Sequence, residues 1–281
     1  MPVIQKSNFH PPVILRNGHI QTIYPSLFRK VYGVQYQRER LETPDGDFLD
    51  LDWSIKGNKR LVILSHGLEG NTYRAYMLGM VKALNTAGWD ALAWNFRGCS
   101  GEPNRLVRSY HSGDTDDLET VIHHAQAKRQ WDQIALIGFS MGGNITLKYL
   151  GEREKNHPKE IAGVVTLSVP VDLESSAYQL ARGVNRIYMI RFLRMLRKKI
   201  QIKSQLFPDL ISLDGFEQIK SFKEFDDRYT APIHGFKDAK DYWTQSSSKQ
   251  FIPSITVPTL LINAKNDPFL SPECYPIHEA E

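Results

Sequence analysis

Nearly continuous apolar runs alternate with helix-like patterns along most of the chain. Four such runs, bounded by Gly, Pro or polar residues, occupy 60–68, 91–96, 133–140 and 161–170. Runs of this length are typical of strands buried on both faces of a parallel sheet. Helical patterns lie between them at 71–87, 114–129 and 145–153. The alternation predicts an α/β fold, with a mostly parallel sheet and helices on both faces.

The pattern is different before the first buried run. The strand patterns at 36–42 and 48–53 are joined by the turn TPDGD, which predicts a hairpin. Residues 1–35 are rich in proline, with a Pro11-Pro12 pair, and are predicted to be irregular.

One long segment separates the fourth buried run from a later strand pattern at 259–264. This segment, 171–250, is helical and charged, and we interpret it as a helical cap inserted into the domain that carries the sheet. The remaining residues, 1–170 and 251–281, then form the core domain. A single α/β domain with an insertion accounts for a chain of 281 residues.

The composition is that of a soluble globular protein. Hydrophobic residues make up 41% of the chain and charged residues 23%, which excludes disordered, collagen-like and coiled-coil classes. The two cysteines, Cys99 and Cys274, cannot form a disulfide framework and favour a reducing compartment. The first residues have no targeting pattern, and no apolar stretch is long enough to cross a bilayer. We therefore expect a cytoplasmic protein, with membrane association as an alternative.

Positive charge is concentrated in one part of the cap segment. The formal net charge is +4, yet 186–203 alone holds seven Lys and Arg residues and no acid. The rest of the chain is therefore mildly acidic, which argues against a nucleic-acid partner. The segment is interpreted either as a cap helix that buries its apolar residues beneath its cations, or as a surface helix that contacts anionic lipid. We favour the first, and peripheral membrane contact through 186–203 is the alternative.

The clearest chemical signal is the motif Gly138-Phe139-Ser140-Met141-Gly142. The motif lies between a buried strand and a helix, where a sharp turn exposes a serine hydroxyl above the edge of the sheet. A dinucleotide loop would place glycine at position 140, and a P-loop would need Gly-Lys-Ser/Thr. Ser140 is therefore predicted to be a nucleophile.

A serine that forms an acyl-enzyme also needs N–H donors for the oxyanion. Met141 follows the nucleophile, and its backbone N–H is predicted to supply one donor. The backbone N–H of Leu68, in the loop after the strand at 60–68, is predicted to supply the other. His66 in that loop precedes Ser140, which is the wrong order for the base of this motif, so we expect it to shape the loop.

Asp267 is the predicted acid. It follows the strand at 259–264 at its carboxyl end, where catalytic groups gather in open α/β sheets. It also comes after the serine, as the order serine, acid, histidine requires. A plain turn aspartate is the structural alternative, and Asp172, just past the strand at 161–170, is a weaker candidate for the acid.

Several motifs together resemble the YheT-like esterase family of the α/β-hydrolase superfamily, which is related to mammalian phospholipase-type hydrolases. They are RNGHIQTIYP (16–25), LSHGLEGN (64–71), NFRGCSGEPNR (95–105), YHSGDTDDL (110–118), GFSMGGN (138–144), YTAPIHGF (229–236) and NDPF (266–269). The resemblance implies an α/β-hydrolase fold and an esterase or lipase-like activity through a Ser-His-Asp triad. By motif match, it makes Ser140 the nucleophile and Asp267 the triad acid.

The end of the chain departs from the family, whose triad histidine follows the acid after a further helix and strand. Few residues follow Asp267, and His278 is the one later histidine. Ser271-Pro272-Glu273 predicts a helix start, so we expect His278 on a surface helix, outside the site. The triad histidine, the last strand and the final helix are therefore expected to be absent, as in a C-terminal truncation. Without an imidazole base the chain is expected to hydrolyse esters very poorly, and an extended chain to recover activity.

The other histidines are interpreted as structural. His19 and His111 lie in family-like motifs and are expected to be hydrogen-bonded structural residues. His123 and His124 lie on the predicted helix at 114–129 without the i, i+4 spacing of a zinc site. We expect no metal and no cofactor.

Three functions fit these observations. The first is a hydrolase of hydrophobic carboxylic esters, with a small-molecule acyl ester as substrate and an acyl-enzyme on Ser140. The second is an acyltransferase that uses the same acyl-enzyme with an alcohol in place of water. The third is a catalytically impaired binding protein, because the triad histidine is missing. The intact motif around Ser140 favours the first.

Overall fold

The computed structural model of the protein describes residues 3–4 and 7–280. The other five residues, and the parts of the predictions for 1–35 and 251–281 that fall on them, lie outside the described residues. The strands are β1 (Gln37–Glu42), β2 (Phe48–Ser54), β3 (Arg60–Ser65), β4 (Asp90–Trp94), β5 (Gln133–Phe139), β6 (Ile161–Leu167) and β7 (Thr259–Ile262). The longer helices are α1 (Gly18–Phe28), α2 (Ala75–Thr86), α3 (Thr115–Lys128), α4 (Met141–Arg153), α5 (Leu173–Leu180) and α6 (Arg186–Leu206), and the shorter ones are α7 (Phe222–Phe225), α8 (Ala231–His234) and α9 (Ala239–Ser246).

The described strands form one seven-stranded sheet in the order β1-β2-β4-β3-β5-β6-β7. β1 and β2 pair antiparallel, as the predicted hairpin requires, and β2 also pairs antiparallel with β4. All pairs from β4 to β7 are parallel. The prediction of a mostly parallel α/β sheet is confirmed.

Both faces of the sheet are covered because β3 is apolar at every position but its first and its last. Leu61 and Ile63 join a core cluster that contains residues of α3 and α4. Val62 and Leu64 project to the opposite face and join a cluster that contains Met77 of α2. Successive side chains of a strand point to opposite faces, so the continuous apolar run requires helices on both.

Helices α5 to α9 all lie between β6 and β7, in the segment predicted as a cap. A stripe of buried residues along one side of α6 packs into an apolar cluster of the cap. This stripe consists of Tyr188, Met189, Leu193, Leu196, Ile200 and Lys203. Most cations of 186–203 lie outside the stripe, so α6 has the geometry of a cap helix. Within the described ranges, no helix has the length and apolar character to cross a membrane.

Two predictions for the ends of the chain are wrong. The segment 1–35, expected to be irregular, contains α1, because the Asn17 side chain accepts hydrogen bonds from the backbone N–H groups of His19 and Ile20 and caps the helix. The helix expected after Ser271 is only a 3-10 turn at Pro272–Cys274. Tyr275 leaves helical geometry there, so His278 lies exposed in a later turn and not on a helix.

Candidate active site

Ser140 occupies a sharp turn between the end of β5 and the start of α4. Its backbone has φ 52° and ψ −118°, a conformation that strains a residue with a side chain by about 1–3 kcal/mol. The Ser140 N–H donates to the Leu167 carbonyl of β6 at 2.8 Å, which holds the turn against the neighbouring strand. The side chain is half-buried and lines a cavity.

The glycines of the motif are required by backbone contacts. A Cβ at Gly142 would lie 2.5 Å from the carbonyl oxygens of Ser65 and His66, at the end of β3. A Cβ at Gly138 would lie 2.5 Å from the Gly142 carbonyl oxygen. Backbone atoms cannot yield as flexible side chains can, so the turn closes only with glycine at these positions.

The loop predicted to supply an oxyanion donor, residues 66–70, lies beside Ser140, and we call it the oxyanion loop. A Cβ at Gly67 would be 3.2 Å from the Ser140 Cβ. The N–H groups of Gly67 and Glu69 donate to tyrosine hydroxyls, and that of Gly70 donates to the Gly67 carbonyl. The N–H of Leu68 has no hydrogen-bond partner among the described residues. A free, preorganised N–H beside a nucleophile is what an oxyanion site needs.

His66 is held inside this loop by both ring nitrogens. Its Nε2 accepts a hydrogen bond from the Phe96 N–H at 3.2 Å, so Nδ1 carries the proton and donates to the Gly67 carbonyl at 2.8 Å. Burial lowers the pKa of His66 to about 3. A neutral, fully bonded imidazole stabilises the loop and has no free nitrogen to serve as a base.

Asp267 lies in the turn that follows β7, at the same edge of the sheet as Ser140. Its carboxylate accepts from the Phe269 N–H at 3.0 Å and interacts with the hydroxyl of Ser168. Burial raises the pKa of Asp267, and these two donors oppose the rise. Ser168 lines the same cavity as Ser140, so the Asp267 carboxylate interacts with one residue of the wall that contains Ser140. The weaker candidate Asp172 caps α5 instead, accepting from the Ser175 N–H.

The N-terminal helix α1 approaches this acid. A Cβ at Gly18 would lie 2.0 Å from the Asn266 carbonyl oxygen, so only glycine allows the contact. His19 stacks on Tyr188 of α6, and its Nδ1 lies 3.0 Å from the tyrosine hydroxyl. Burial and the Asp267 carboxylate raise the pKa of Tyr188.

No described histidine hydrogen-bonds to Ser140 or Asp267. His111 and His234 line the cavity, but a backbone N–H donates to His111 Nδ1 and backbone carbonyls face both ring nitrogens of His234. Burial lowers the pKa of both imidazoles. In the described part of the chain, no three His, Cys, Asp or Glu side chains come together as a group that could bind a metal.

The cavity that contains Ser140 in its wall has a volume of about 140 Å³ and extends beneath the cap. Apolar side chains dominate the wall contributed by α5, α6 and α7, including Leu173, Leu180, Phe192 and Phe222. A second space of about 400 Å³ reaches Ser140 from the side of α1. Sequence patterns gave no sign of Ser168 as a neighbour of the acid, because the two residues meet only when β6 and β7 pair.

These features are those of an α/β hydrolase, and the chain belongs to that family, because the family model described as "alpha/beta hydrolase fold" matches residues 60–276. The chain is 37% identical to the YheT protein of Escherichia coli over 98% of this chain and 82% of that protein. It is 29% identical to phospholipase ABHD3 of Mus musculus over 100% of this chain and 70% of that protein. The resemblance to the YheT-like family is thereby confirmed.

More distant proteins share the fold. A monoacylglycerol lipase of Saccharomyces cerevisiae is 26% identical over 92% of this chain and 68% of that protein. An esterase structure from Pyrococcus furiosus superimposes with a TM-score of 0.56 at 21% identity, covering 87% of this chain and 79% of its own. The Pyrococcus furiosus structure shows the shared fold, and the sequence relatives named esterase, phospholipase and lipase support a hydrolase activity that acts on esters or lipids.

Proposed function

We propose that the protein is a serine hydrolase that cleaves carboxylic esters with a hydrophobic acyl group. The observation that carries the proposal is the strained turn that presents the Ser140 hydroxyl to an apolar cavity. In the proposed reaction, the Ser140 oxygen attacks the ester carbonyl, the bond to the alcohol oxygen breaks, and the proton lost by the Ser140 hydroxyl passes to that oxygen as the alcohol leaves. Water then attacks the acyl-enzyme and releases the acid.

The N–H groups of Leu68 and Met141 are proposed to hold the oxyanion in both steps. Met141 is the first residue of α4, so its N–H belongs to the positive end of the helix dipole. Asp267 is proposed to orient the imidazole of the base, which is the role of the acid in a triad. Its buried position beside Ser168 suits a carboxylate that stabilises a neighbouring cation.

The proposed acyl group extends into the cavity beneath the cap. The cavity of about 140 Å³ has room for an alkyl chain, and its lining is mainly apolar. An apolar wall favours an alkyl chain by about 0.8 kcal/mol per buried methylene group.

A fluorophosphonate probe tests the nucleophile, because it reacts covalently only with an activated serine. Because no described imidazole hydrogen-bonds to Ser140, we expect the probe to label Ser140 slowly, as located by mass spectrometry of the digested protein, and Ser140→Ala to abolish labelling. Ser204→Ala, at a half-buried serine of α6 that lines neither cavity, is the matched control and should label as the wild type does. Labelling that survives Ser140→Ala would contradict the proposal. Product analysis with added alcohol separates hydrolysis from acyl transfer.

A binding protein without turnover is the second candidate. It is favoured by one observation, that no described imidazole contacts Ser140 or Asp267. A chain that binds a fluorescent acyl ester in the cavity but neither reacts with the probe nor releases product would support this candidate over the hydrolase.

Peripheral contact of α6 with anionic lipid is proposed as a separate property. Ile187 and Ile190 of α6 are 64% and 46% exposed, and they lie beside Arg186 and Arg191. Co-sedimentation with vesicles tests this contact. Equal binding to neutral and anionic vesicles would rule out its electrostatic part.

A further inference from the structure

Helix α6 of the cap crosses the oxyanion loop at a cluster of four polar side chains. The Lys199 Nζ lies 3.0 Å from Glu69 Oε1 and 2.9 Å from Cys99 Sγ. The Tyr110 hydroxyl donates to the same Glu69 oxygen, and its ring centroid lies 4.4 Å from the Lys199 Nζ. The cluster therefore joins the cap, the oxyanion loop and the connection between β4 and α3 at one point.

Glu69 is buried and paired within this cluster. Its side chain is 6% exposed, and Lys199 is the only described cation that forms an ion pair with it. A buried carboxylate that loses its partner is destabilised. Burial acts to lower the pKa of Lys199, but the neighbouring Cys99 and Glu69 outweigh burial and raise it. The ammonium therefore stays charged at neutral pH.

The position of Glu69 controls the part of the loop that faces the nucleophile. Glu69 has φ 53°, a left-handed conformation that is unfavourable for a residue with a side chain. Its N–H donates to the Tyr110 hydroxyl at 3.2 Å, while its carboxylate accepts from the same hydroxyl and pairs with Lys199. These contacts hold the residue that immediately follows Leu68, whose free N–H is the proposed oxyanion donor.

We propose that Lys199 is a positioning residue, which ties the cap to the oxyanion loop and so aligns the Leu68 N–H for the oxyanion. The inference rests on the proposed function. It adds that an oxyanion site built on the core depends on a side chain from the cap. When α6 packs over the cavity, Lys199 reaches Glu69, and the same packing therefore aligns the Leu68 N–H.

The kinetics of labelling by the fluorophosphonate test this role, because the adduct also places a negative oxygen in the oxyanion site. Lys199→Met retains most of the length of the side chain without its charge. We expect it to lower kinact at least tenfold, with KI unchanged within about twofold, as partial loss of one oxyanion donor predicts. Lys198→Met, at the exposed neighbouring position of α6, is the matched control and should leave both constants unchanged.

A double-mutant cycle separates positioning from general destabilisation. Glu69→Gln should lower kinact to a similar degree, and the double variant should fall no further than the single ones, because both changes break the same contact. Additive losses, or a change confined to KI, would overturn the proposal. An equal loss in Lys198→Met would overturn it too.

Amide hydrogen exchange gives a measurement that does not depend on reaction. Lys199→Met should speed exchange of the amides at 67–70 at least tenfold while the amides of β3 keep their wild-type rates. Unchanged exchange in the loop would overturn the proposal. A wild-type chain that is not labelled at all would contradict the proposed function and the catalytic half of this inference, and the exchange result would then decide whether the cap holds the loop.

Discussion

The turn that carries Ser140 and the cavity that it faces are built in different ways. The turn is held by backbone atoms of adjacent parallel strands, such as the Ser140 N–H on the Leu167 carbonyl. The wall of the cavity comes from side chains of α5, α6 and α7, which are far from the turn in sequence. The turn therefore tolerates almost no added volume, whereas the cavity can be reshaped by exchanging apolar side chains. In the proposed reaction, the turn would carry out the chemistry and the cavity wall would select the substrate.

The largest effect, on the free energy of unfolding, is expected at the turn that carries Ser140. Gly142→Ala would place a Cβ 2.5 Å from two backbone carbonyl oxygens of the loop after β3. We expect the free energy of unfolding, measured by urea titration, to fall by about 3 kcal/mol, which is the upper part of the range for overpacking. Gly163→Ala is the matched control, because the nearest atom to its Cβ is 3.7 Å away. A loss in Gly163→Ala as large as in Gly142→Ala would contradict the distinction.

Next in size is a pH effect in the cap. The buried Asp226 carboxyl accepts hydrogen bonds from the Trp243 indole N–H and the Thr230 hydroxyl, and burial raises its pKa to about 7. In the unfolded chain an aspartate ionises near pH 3.9, so between about pH 4 and 7 the folded state binds more protons. Stability therefore falls as pH rises through this window. Asp226→Asn stays neutral, and we expect it to remove about 2 kcal/mol of the loss between pH 5 and pH 8.

The neighbouring carboxyl provides the control for this measurement. The Lys223 ammonium and the Ala239 N–H hold the pKa of Asp227 below its usual range against the effect of burial. Asp227 is therefore ionised in both states from pH 5 to pH 8. Its charge adds the smallest of the contributions to the pKa of Asp226, so Asp227→Asn should change the slope of stability against pH far less than Asp226→Asn does. Thermal unfolding at several pH values measures both variants. An unchanged slope in Asp226→Asn would show that the carboxyl is not protonated in the fold.

A smaller effect, on the rate of labelling, is expected from a substitution in the wall of the cavity. Ala177 of α5 lines the cavity and is 7% exposed, so Ala177→Leu would fill part of its volume of about 140 Å³. We expect labelling by a long-alkyl fluorophosphonate to slow about tenfold relative to a short-alkyl one, since a few lost methylene contacts are worth 1–3 kcal/mol. Equal slowing of both probes would place the alkyl group elsewhere.

The smallest predicted effect concerns the acid. Ser168 has φ 53°, so Ser168→Gly removes the hydroxyl without adding strain. The hydroxyl opposes the rise in the pKa of Asp267, and its loss should raise that pKa further. More of the carboxyl is then protonated at low pH, so labelling should be slower than in the wild type at pH 5.5 and match the wild type at pH 8. A loss of the same size at both values would contradict this role.

The core of the fold was predictable because its determinants are local. The buried runs, the hairpin turn TPDGD and the long segment between β6 and β7 all follow from residue patterns in a short window. The motif around Ser140 was predictable for the same reason, since it lies at a strand end and a helix start. The roles of Ser140, Asp267, Leu68 and Met141 stay predictions until the experiments are made.

The remaining features depend on contacts between distant residues. Helix α1 was missed because its proline, Pro25, lies inside the helix, while its cap and its contact with Asn266 have no signature in a proline-rich segment. The pairing of Glu69 with Lys199 joins residues 130 positions apart, and a lysine in a basic run gives no sign of a buried partner. The short turn at Pro272–Cys274 was mistaken for a helix start because both begin with the same residues.

The strained backbone at Ser140 lowers the stability of the fold, while the same residue provides the proposed nucleophilic hydroxyl. Glycine would adopt φ 52° and ψ −118° at little cost, so Ser140→Gly should gain on the order of 1 kcal/mol of stability while losing the hydroxyl. A screen that measures only thermal stability would therefore select Ser140→Gly, although this variant lacks the proposed nucleophile. Any programme of stabilisation has to keep this serine fixed and seek its gains elsewhere.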